Sequence, residues 1–180
     1  RNQFGTGPNV SLFTLGTMRA NESIEQMYSV VKEAYLTGIN HLETAPAYGT
    51  AENLLGTTIK KLNSEGCRPE GGWIITSKIL PGTDMNKGKD QLQGILSRLG
   101  ISKIHNLAIH GVNLPEHLEW ALNGDGAKLI KWATQKRLIG QVGFSSHGTF
   151  SLIKKAIESH RFQFCSLHLH LLDQERLPLA

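Results

Sequence analysis

The chain has 180 residues, enough for one domain with a hydrophobic core and too few for two domains of ordinary size. Hydrophobic residues make up 39% of it and charged residues 19%, which is typical of a folded domain and excludes an intrinsically disordered chain. The net charge is +4, but the basic residues are scattered along the sequence, which does not favour a nucleic-acid-binding protein.

The sequence has no feature of a membrane or secreted protein. No apolar run approaches the ~18 residues needed to cross a bilayer, and no signal peptide opens the chain, so we expect a cytoplasmic protein with no membrane partner. Cys67 and Cys165 lie far apart and form no CxxC pair, which indicates neither a disulfide framework nor a zinc cluster. We therefore predict no metal site.

Six short runs rich in β-forming residues recur roughly every thirty residues. Most of them are almost continuously apolar, which is typical of parallel strands buried on both faces. The predicted strands lie at residues 11–17, 40–44, 73–77, 105–110, 140–145 and 163–169.

Amphipathic helical patterns fill the intervals between these strands. The first helix is predicted to be capped by Asn21 and to end at Gly38. A second helix is predicted to begin at Ala51, and a third to end at Leu99. Two shorter helices follow Pro115 with a break near Asn123, and a last one follows Gly148. Alternation of strand and helix predicts a parallel sheet, either doubly wound or closed as a (β/α)₈ barrel.

The turn after the first strand distinguishes these two folds. A doubly wound dinucleotide-binding sheet carries G-x-G-x-x-G there, whereas this turn reads Gly16-Thr17-Met18-Arg19. The sequence therefore favours the α/β class and a (β/α)₈ TIM barrel of which about six βα units are present. We expect a single barrel domain over residues 1–180.

Polar residues follow consecutive predicted strands where the chemistry of such a barrel lies, at the strands' carboxyl ends. They are Glu43 with Tyr48 in the loop behind it, Lys78, His110 and Ser145. Each step from Glu43 to Lys78, His110 and Ser145 is about one βα unit, so we expect these side chains to converge on one rim.

These groups favour proton donation to a carbonyl oxygen. A phenol ordinarily releases its proton only near pH 10, so a tyrosine acid needs a neighbouring cation, and Lys78 held by Glu43 would supply one. His110 would orient the carbonyl or pass on the proton. Protonation alone does not reduce a carbonyl and no side chain donates hydride, so a nicotinamide cofactor is implied.

Two other interpretations remain open on the residues alone. Lys78 as a Schiff-base lyase residue would have to be a neutral amine, and the nearby Glu43 argues against that. The second is metal binding by His168 and His170, which alternate on one face of the sixth strand. Metal binding would need two further ligands in phase, so His168 and His170 are interpreted as polar lining of the substrate mouth or a buried pair. His147, just past the fifth strand, is interpreted as a loop residue near the site.

Several segments of the chain resemble those of a known family. The segment GINHLETAPAYGTAENLLG resembles the aldo-keto reductase signature, written with GIN, DTA, YG and E-x-x-LG, and IITSK, LAIHG and GQVGFSSH resemble later blocks in the same order. The tail QFCSLHLHLLDQ is similar to bacterial members, including those with a C-terminal ferredoxin-like iron–sulfur region. The resemblance implies an NADP(H)-dependent oxidoreductase that reduces aldehydes or ketones to alcohols, with NAD(H) as an alternative cofactor and a small-molecule carbonyl substrate.

The resemblance also implies roles for individual residues. Tyr48 matches the proton donor, Lys78 the cation that assists it, and His110 the imidazole that orients the substrate, while Glu43 stands where the family usually has Asp. The residues implied to contact the cofactor are Gly16, Thr17, Ser145, Ser146 and Ser166. Ser146 replaces the usual Asn and Ser166 the usual Gln.

The chain is shorter than the family barrel implies. Six strands are visible where the family has eight, so we expect the C-terminal part of the barrel to be missing, together with loops that hold the cofactor's phosphates. An iron–sulfur cluster is expected only if that missing part carries one. A cofactor-binding regulatory or inactive member of the same fold, without efficient turnover, is the alternative function.

Overall fold

The computed structural model describes residues 1–169 and contains a parallel sheet with helices on its outer face. Its strands are β1 (Asn2–Gln3), β2 (Asn9–Val10), β3 (Leu15–Gly16), β4 (His41–Glu43), β5 (Ile74–Ile79), β6 (Ile104–Ile109), β7 (Ile139–Ser146) and β8 (Phe164–Leu167). Its helices are α1 (Ile24–Leu36), α2 (Ala51–Ser64), α3 (Met85–Leu99), α4 (Pro115–Leu122), α5 (Asp125–Gln135) and α6 (Phe150–Glu158), with a 3₁₀ turn at Pro46–Tyr48.

The sheet has the strand order of a (β/α)₈ barrel. β3 to β8 lie side by side in chain order and every neighbouring pair is parallel. Each connection crosses over through one helix, or through two where α4 and α5 follow β6. This half-barrel of six strands confirms the predicted fold class. None of the helices in residues 1–169 is both long and apolar enough to cross a membrane.

The core lies between the strands and the helices. Because side chains alternate along a strand, every second residue points outward to the helices, and on this sheet most of those residues are apolar. Leu42, Ile75, Leu107 and Phe144 are examples, each no more than 1% exposed. They pack with the buried faces of the helices, to which Met27, Leu55, Leu92, Leu129 and Ile153 belong.

Two details differ from the sequence prediction at the start of the barrel. The cap of α1 is Ser23, whose hydroxyl accepts from the Gln26 amide, while Asn21 donates instead to the carbonyl of Tyr48. The first strand is only Leu15–Gly16, and Leu12 and Phe13 are exposed. The antiparallel β1–β2 hairpin was not predicted, because two-residue strands leave no periodic signal.

A buried ion pair connects two helices to β5. The Glu52 carboxylate on α2 is fully buried, accepts from the Ser77 hydroxyl at 2.7 Å and lies 2.7 Å from the Arg98 guanidinium on α3. A buried carboxylate is tolerable only when it is paired and hydrogen-bonded, as here. The pair therefore fixes β5 against α2 and α3 at the residue next to Lys78.

The inner face of the sheet carries a polar layer at the amino-terminal side of the strands. His41 contacts the Thr76 hydroxyl at 2.7 Å, Asn106 donates to the same oxygen, and Gln141 donates to the Asn106 carbonyl at 2.8 Å. Gln141 also donates to the carbonyl of Phe4, which lies between β1 and β2. The network therefore joins four neighbouring strands to the hairpin.

This network predicts a pH dependence of stability. Burial lowers the pKa of His41 to about 4, with the charge of His105 acting in the same direction and Glu43 opposing it. The folded protein thus favours the neutral imidazole. The stabilisation is complete above the unfolded pKa of about 6.5 and is lost as the pH falls toward 4. At about 1.4 kcal/mol per pH unit, His41 should cost about 3 kcal/mol of unfolding free energy over that interval.

The measurement is urea unfolding at pH 7 and pH 4.5 for the parent and for His41→Gln. We expect the difference between the two pH values to be smaller in the variant, whatever the variant's absolute stability. Equal pH dependence in both proteins would contradict this role of His41.

Candidate active site

A cleft of about 640 Å³ opens at the carboxyl ends of the strands. It lies at the end of the sheet where a (β/α)₈ barrel carries its chemistry, and its volume is within the range of small-molecule sites. Six of the nine residues predicted to form the site line it: Glu43, Tyr48, Lys78, His110, Ser145 and Ser166. The tertiary structure therefore brings together residues of four strands, the turn that carries Tyr48 and the residue that directly follows β6.

Lys78 is the centre of this arrangement. Its side chain is 3% exposed, and its ammonium lies 2.7 Å from Glu43 Oε1 and 2.5 Å from the Tyr48 hydroxyl. An ammonium only donates hydrogen bonds, so the phenol oxygen accepts from it. The hydrogen of the Tyr48 hydroxyl is then left to donate to another acceptor in the cleft. The same ammonium lies 4.6 Å from the centre of the Tyr48 ring.

Glu43 makes the buried ammonium tolerable. Burial penalises a charge unless a counterion and hydrogen bonds compensate it. Glu43 is on β4 and Lys78 on β5, and register places Glu43 beside Thr76, whose side chain shares a face with that of Lys78. The Glu43 side chain is 26% exposed, so its carboxylate borders both the ammonium and the cleft.

The loop that carries Tyr48 is held by backbone contacts. Pro46 starts a 3₁₀ turn whose last residue is Tyr48, and Gly49 follows at φ 62°, a left-handed conformation that favours glycine. Asn21 donates to the Tyr48 carbonyl at 2.9 Å, and the Thr50 hydroxyl donates to the Asn21 carbonyl at 2.9 Å. These bonds position the phenol over Lys78.

His110, directly after β6, lies beside Tyr48. The two rings are perpendicular, with centroids 5.8 Å apart. Burial lowers the pKa of His110, the charges of Lys78 and His147 lower it further, and Glu43 opposes them. Near pH 7 the imidazole is therefore neutral and has one N–H to donate.

The serines predicted to contact a cofactor fall into two groups. Ser145 and Ser166 are opposite each other on β7 and β8, and both line the cleft. Ser145 Oγ accepts from the Gly111 amide at 3.0 Å, so its own hydrogen remains available to a ligand. Ser146 points the other way, is 1% exposed, donates to the Val112 carbonyl and accepts from the Gly148 amide.

Gly16 and Thr17 do not line the cleft. Thr17 is fully buried, and its amide and hydroxyl both donate to the carbonyl of Glu43. Gly16 is exposed beside Glu43, and no heavy atom lies within 4 Å of the place where a Cβ would be. In the described structure, Thr17 therefore fixes the Glu43 backbone, and Gly16 leaves open space next to it.

Sequence reasoning missed part of the cleft wall. Leu80, which follows β5, and Asn113, which follows β6, line the cleft and were not predicted as site residues. Loop residues give no periodic signal, and only their place directly behind a strand end could have marked them. His168 lines the cleft, as the mouth interpretation expected, and so does His147, the loop residue expected near the site, whereas His170 lies outside the described residues.

Comparison with known proteins identifies the family and the fold of the chain. The model of the Aldo/keto reductase family matches residues 13–177. A protein from Pseudomonas aeruginosa assigned to the aldo-keto reductases superimposes with a TM-score of 0.81 at 22% identity, over 99% of this chain and 70% of that one.

Two further structures have the same fold. An aldo-keto reductase from Bacillus halodurans in its holo form gives a TM-score of 0.78 at 21% identity, over 99% of this chain and 61% of its own. An aldo-keto reductase from Bombyx mori in complex with NADP gives a TM-score of 0.73 at 21% identity, over 93% of this chain and 57% of its own. At these identities the likeness concerns the fold.

The geometry predicts how His110 responds to its neighbours. Replacing Lys78 by Met removes a cation that lowers the pKa of His110 and leaves Glu43, which raises it. The pKa of His110 should therefore rise in Lys78→Met. The measurement is an NMR titration of the imidazole Cε1 proton, with Lys128→Met, on the exposed surface, as the matched control. An unchanged or lower value in Lys78→Met would contradict the arrangement described above.

Proposed function

The chain belongs to the aldo/keto reductase family, and on that premise we propose that it is an NADP(H)-dependent oxidoreductase that reduces aldehydes or ketones to alcohols. The observation that carries the proposal is the position of the Lys78 ammonium, 2.7 Å from the Glu43 carboxylate and 2.5 Å from the Tyr48 hydroxyl, at the wall of the cleft. This constellation is suited to proton donation into the cleft.

Tyr48 is the proton donor in this proposal. The carbonyl oxygen of the substrate accepts a hydrogen bond from the Tyr48 hydroxyl, whose oxygen is already engaged by Lys78. As negative charge develops on the carbonyl oxygen, the proton passes to it from the phenol. The Lys78 ammonium stabilises the phenolate that remains, and Glu43 holds the ammonium in place.

His110 orients the carbonyl. Because its imidazole is neutral near pH 7, it donates one N–H without placing a second cation beside Lys78. Its ring lies beside that of Tyr48 and both residues line the cleft, so both can donate to one carbonyl oxygen there. A fixed pair of donors aimed at a developing oxyanion is a common source of catalytic stabilisation.

The residues of the cleft fit the nicotinamide end of a cofactor. Ser145 and Ser166 face each other at the strand ends, and the Ser145 hydrogen is available to an amide oxygen. A bound nicotinamide cofactor supplies the hydride that no side chain can supply. Gly16 and Thr17 border Glu43 and remain predicted cofactor positions, as does Ser146. NAD(H) is the alternative cofactor.

One observation favours the alternative function, a cofactor-binding member without efficient turnover. The buried Ser146 hydroxyl donates to the Val112 carbonyl and accepts from the Gly148 amide, so its hydrogen could reach a cofactor amide only if the bond to Val112 broke. Binding of NADPH without carbonyl-dependent oxidation would support this alternative. NADPH oxidation that depends on added aldehyde would support the reductase.

The proton donor is tested by Tyr48→Phe. The variant keeps the ring and loses the hydroxyl, so aldehyde reduction should fall by at least ~10², the usual scale of general-acid catalysis. The dissociation constant of NADPH, measured by fluorescence, should change little. A variant that reduces aldehydes at the parental rate would show that Tyr48 is not the acid.

The counterion is tested by two replacements of Glu43. Glu43→Gln leaves the buried Lys78 ammonium without a charge partner, so kcat for aldehyde reduction should fall. Glu43→Asp keeps the charge one methylene shorter, and activity should be retained. The comparison of kcat in the two variants separates loss of the charge from a change in side-chain length. Parental kcat in both variants would show that Glu43 does not contribute to the reaction.

A further inference from the structure

Two imidazoles stand together at the mouth of the cleft. His147 follows β7 and His168 follows β8, both are exposed, and both line the cleft. Their ring centroids are 6.1 Å apart with the planes tilted by 45°. Their proximity follows from the parallel register, because Ser145 is paired with Ser166 and each histidine lies two residues farther along its strand direction.

The register also determines where the two imidazoles lie relative to Ser145 and Ser166 along the strand direction. Residues two apart on a strand share a face and lie about 7 Å apart. The imidazole pair therefore lies outside the serine pair, on the side toward solvent. The charge of His147 contributes to lowering the pKa of His110, which indicates that His147 acts on the same cleft as the catalytic groups.

Among residues 1–169, the lining of the cleft offers no negative group besides Glu43. Glu43 is the one carboxylate among the described residues that line it, and Glu43 is engaged by Lys78. Besides Tyr48 and His110, the remaining polar wall consists of Asn113, His117, the two serines and the two mouth imidazoles. A neutral imidazole offers one N–H and a protonated one offers two, so the pair suits an acceptor that carries negative charge.

We propose that His147 and His168 form an anion subsite at the cleft mouth, and that the substrates of this chain are carbonyl compounds that carry a carboxylate. The inference rests on the proposed carbonyl reduction and adds its substrate class. The carbonyl lies at Tyr48 and His110, and the carboxylate lies between the two imidazoles. Both histidines are then specificity determinants that take no part in the proton transfer.

The first test compares two aldehydes of the same shape. 4-Carboxybenzaldehyde carries the charge, and 4-nitrobenzaldehyde is its uncharged counterpart. In the variant His147→Asn/His168→Asn, the ratio of kcat/KM for the carboxylated aldehyde to that for the nitro aldehyde should fall about tenfold, the scale of a hydrogen bond to a charged group. His160→Asn is the matched control, since His160 is exposed and its φ of 53° is one that asparagine tolerates.

Three results would overturn the subsite. An unchanged ratio would mean that the imidazoles do not contact the carboxylate. An equal fall for both aldehydes with a raised KM for NADPH would mean that the pair holds the cofactor instead. A preference that disappears on addition of EDTA to the parent protein would mean that a metal ion, rather than the imidazoles, binds the anion.

The second test separates this inference from the proposed function. Binding of terephthalate, a dicarboxylate with no reducible carbonyl, is measured by calorimetry in the parent, in Tyr48→Phe and in the double histidine variant. Binding that survives Tyr48→Phe and weakens about tenfold in the double variant would support the subsite even if no turnover is found. Terephthalate that binds equally to the parent and the double variant, or to neither, would refute it.

Discussion

Parallel register is the constraint on which the site and the fold both depend. Once neighbouring strands are paired in parallel, alternation decides which face of the sheet each side chain occupies. One face then carries the apolar residues that pack against the helices, and the other carries two polar layers. His41 and Thr76 belong to the layer near the amino ends of the strands, and Glu43 and Lys78, two residues farther along, belong to the layer at the carboxyl ends.

The two polar layers solve different physical problems. In the layer near the amino ends, the polar groups bond to one another and to the hairpin backbone, so this layer needs no formal charge. It consists of His41, Thr76, Asn106 and Gln141. The layer at the carboxyl ends contains the buried Lys78 ammonium, which requires a carboxylate close by. An aspartate, as is usual in the family, would meet this requirement with a shorter side chain, and Glu43 meets it by reaching Lys78 from the edge of the cleft.

Hydrogen bonds from outside the cleft hold the residues of the site in position. Ser77 points to the helices while its neighbour Lys78 points into the cleft. Ser77 donates to Glu52 on α2, and Glu52 is in turn paired with Arg98 on α3. Thr17 holds the backbone of Glu43, and Asn21 holds that of Tyr48. Preorganised positions for donor and cation reduce the reorganisation that a reaction would otherwise require.

The sequence by itself determined the class of fold, the strand–helix alternation and four candidate catalytic residues, because apolar periodicity and strand spacing are properties of the chain alone. It also indicated Ser145 and Ser166, which the cleft brings together. Only the tertiary structure decided that Ser146 faces the helix layer, that Ser23 rather than Asn21 caps α1, and that His147 and His168 come within 6.1 Å. These features depend on strand register and loop backbone geometry, which contacts between residues distant in sequence determine and no local pattern records.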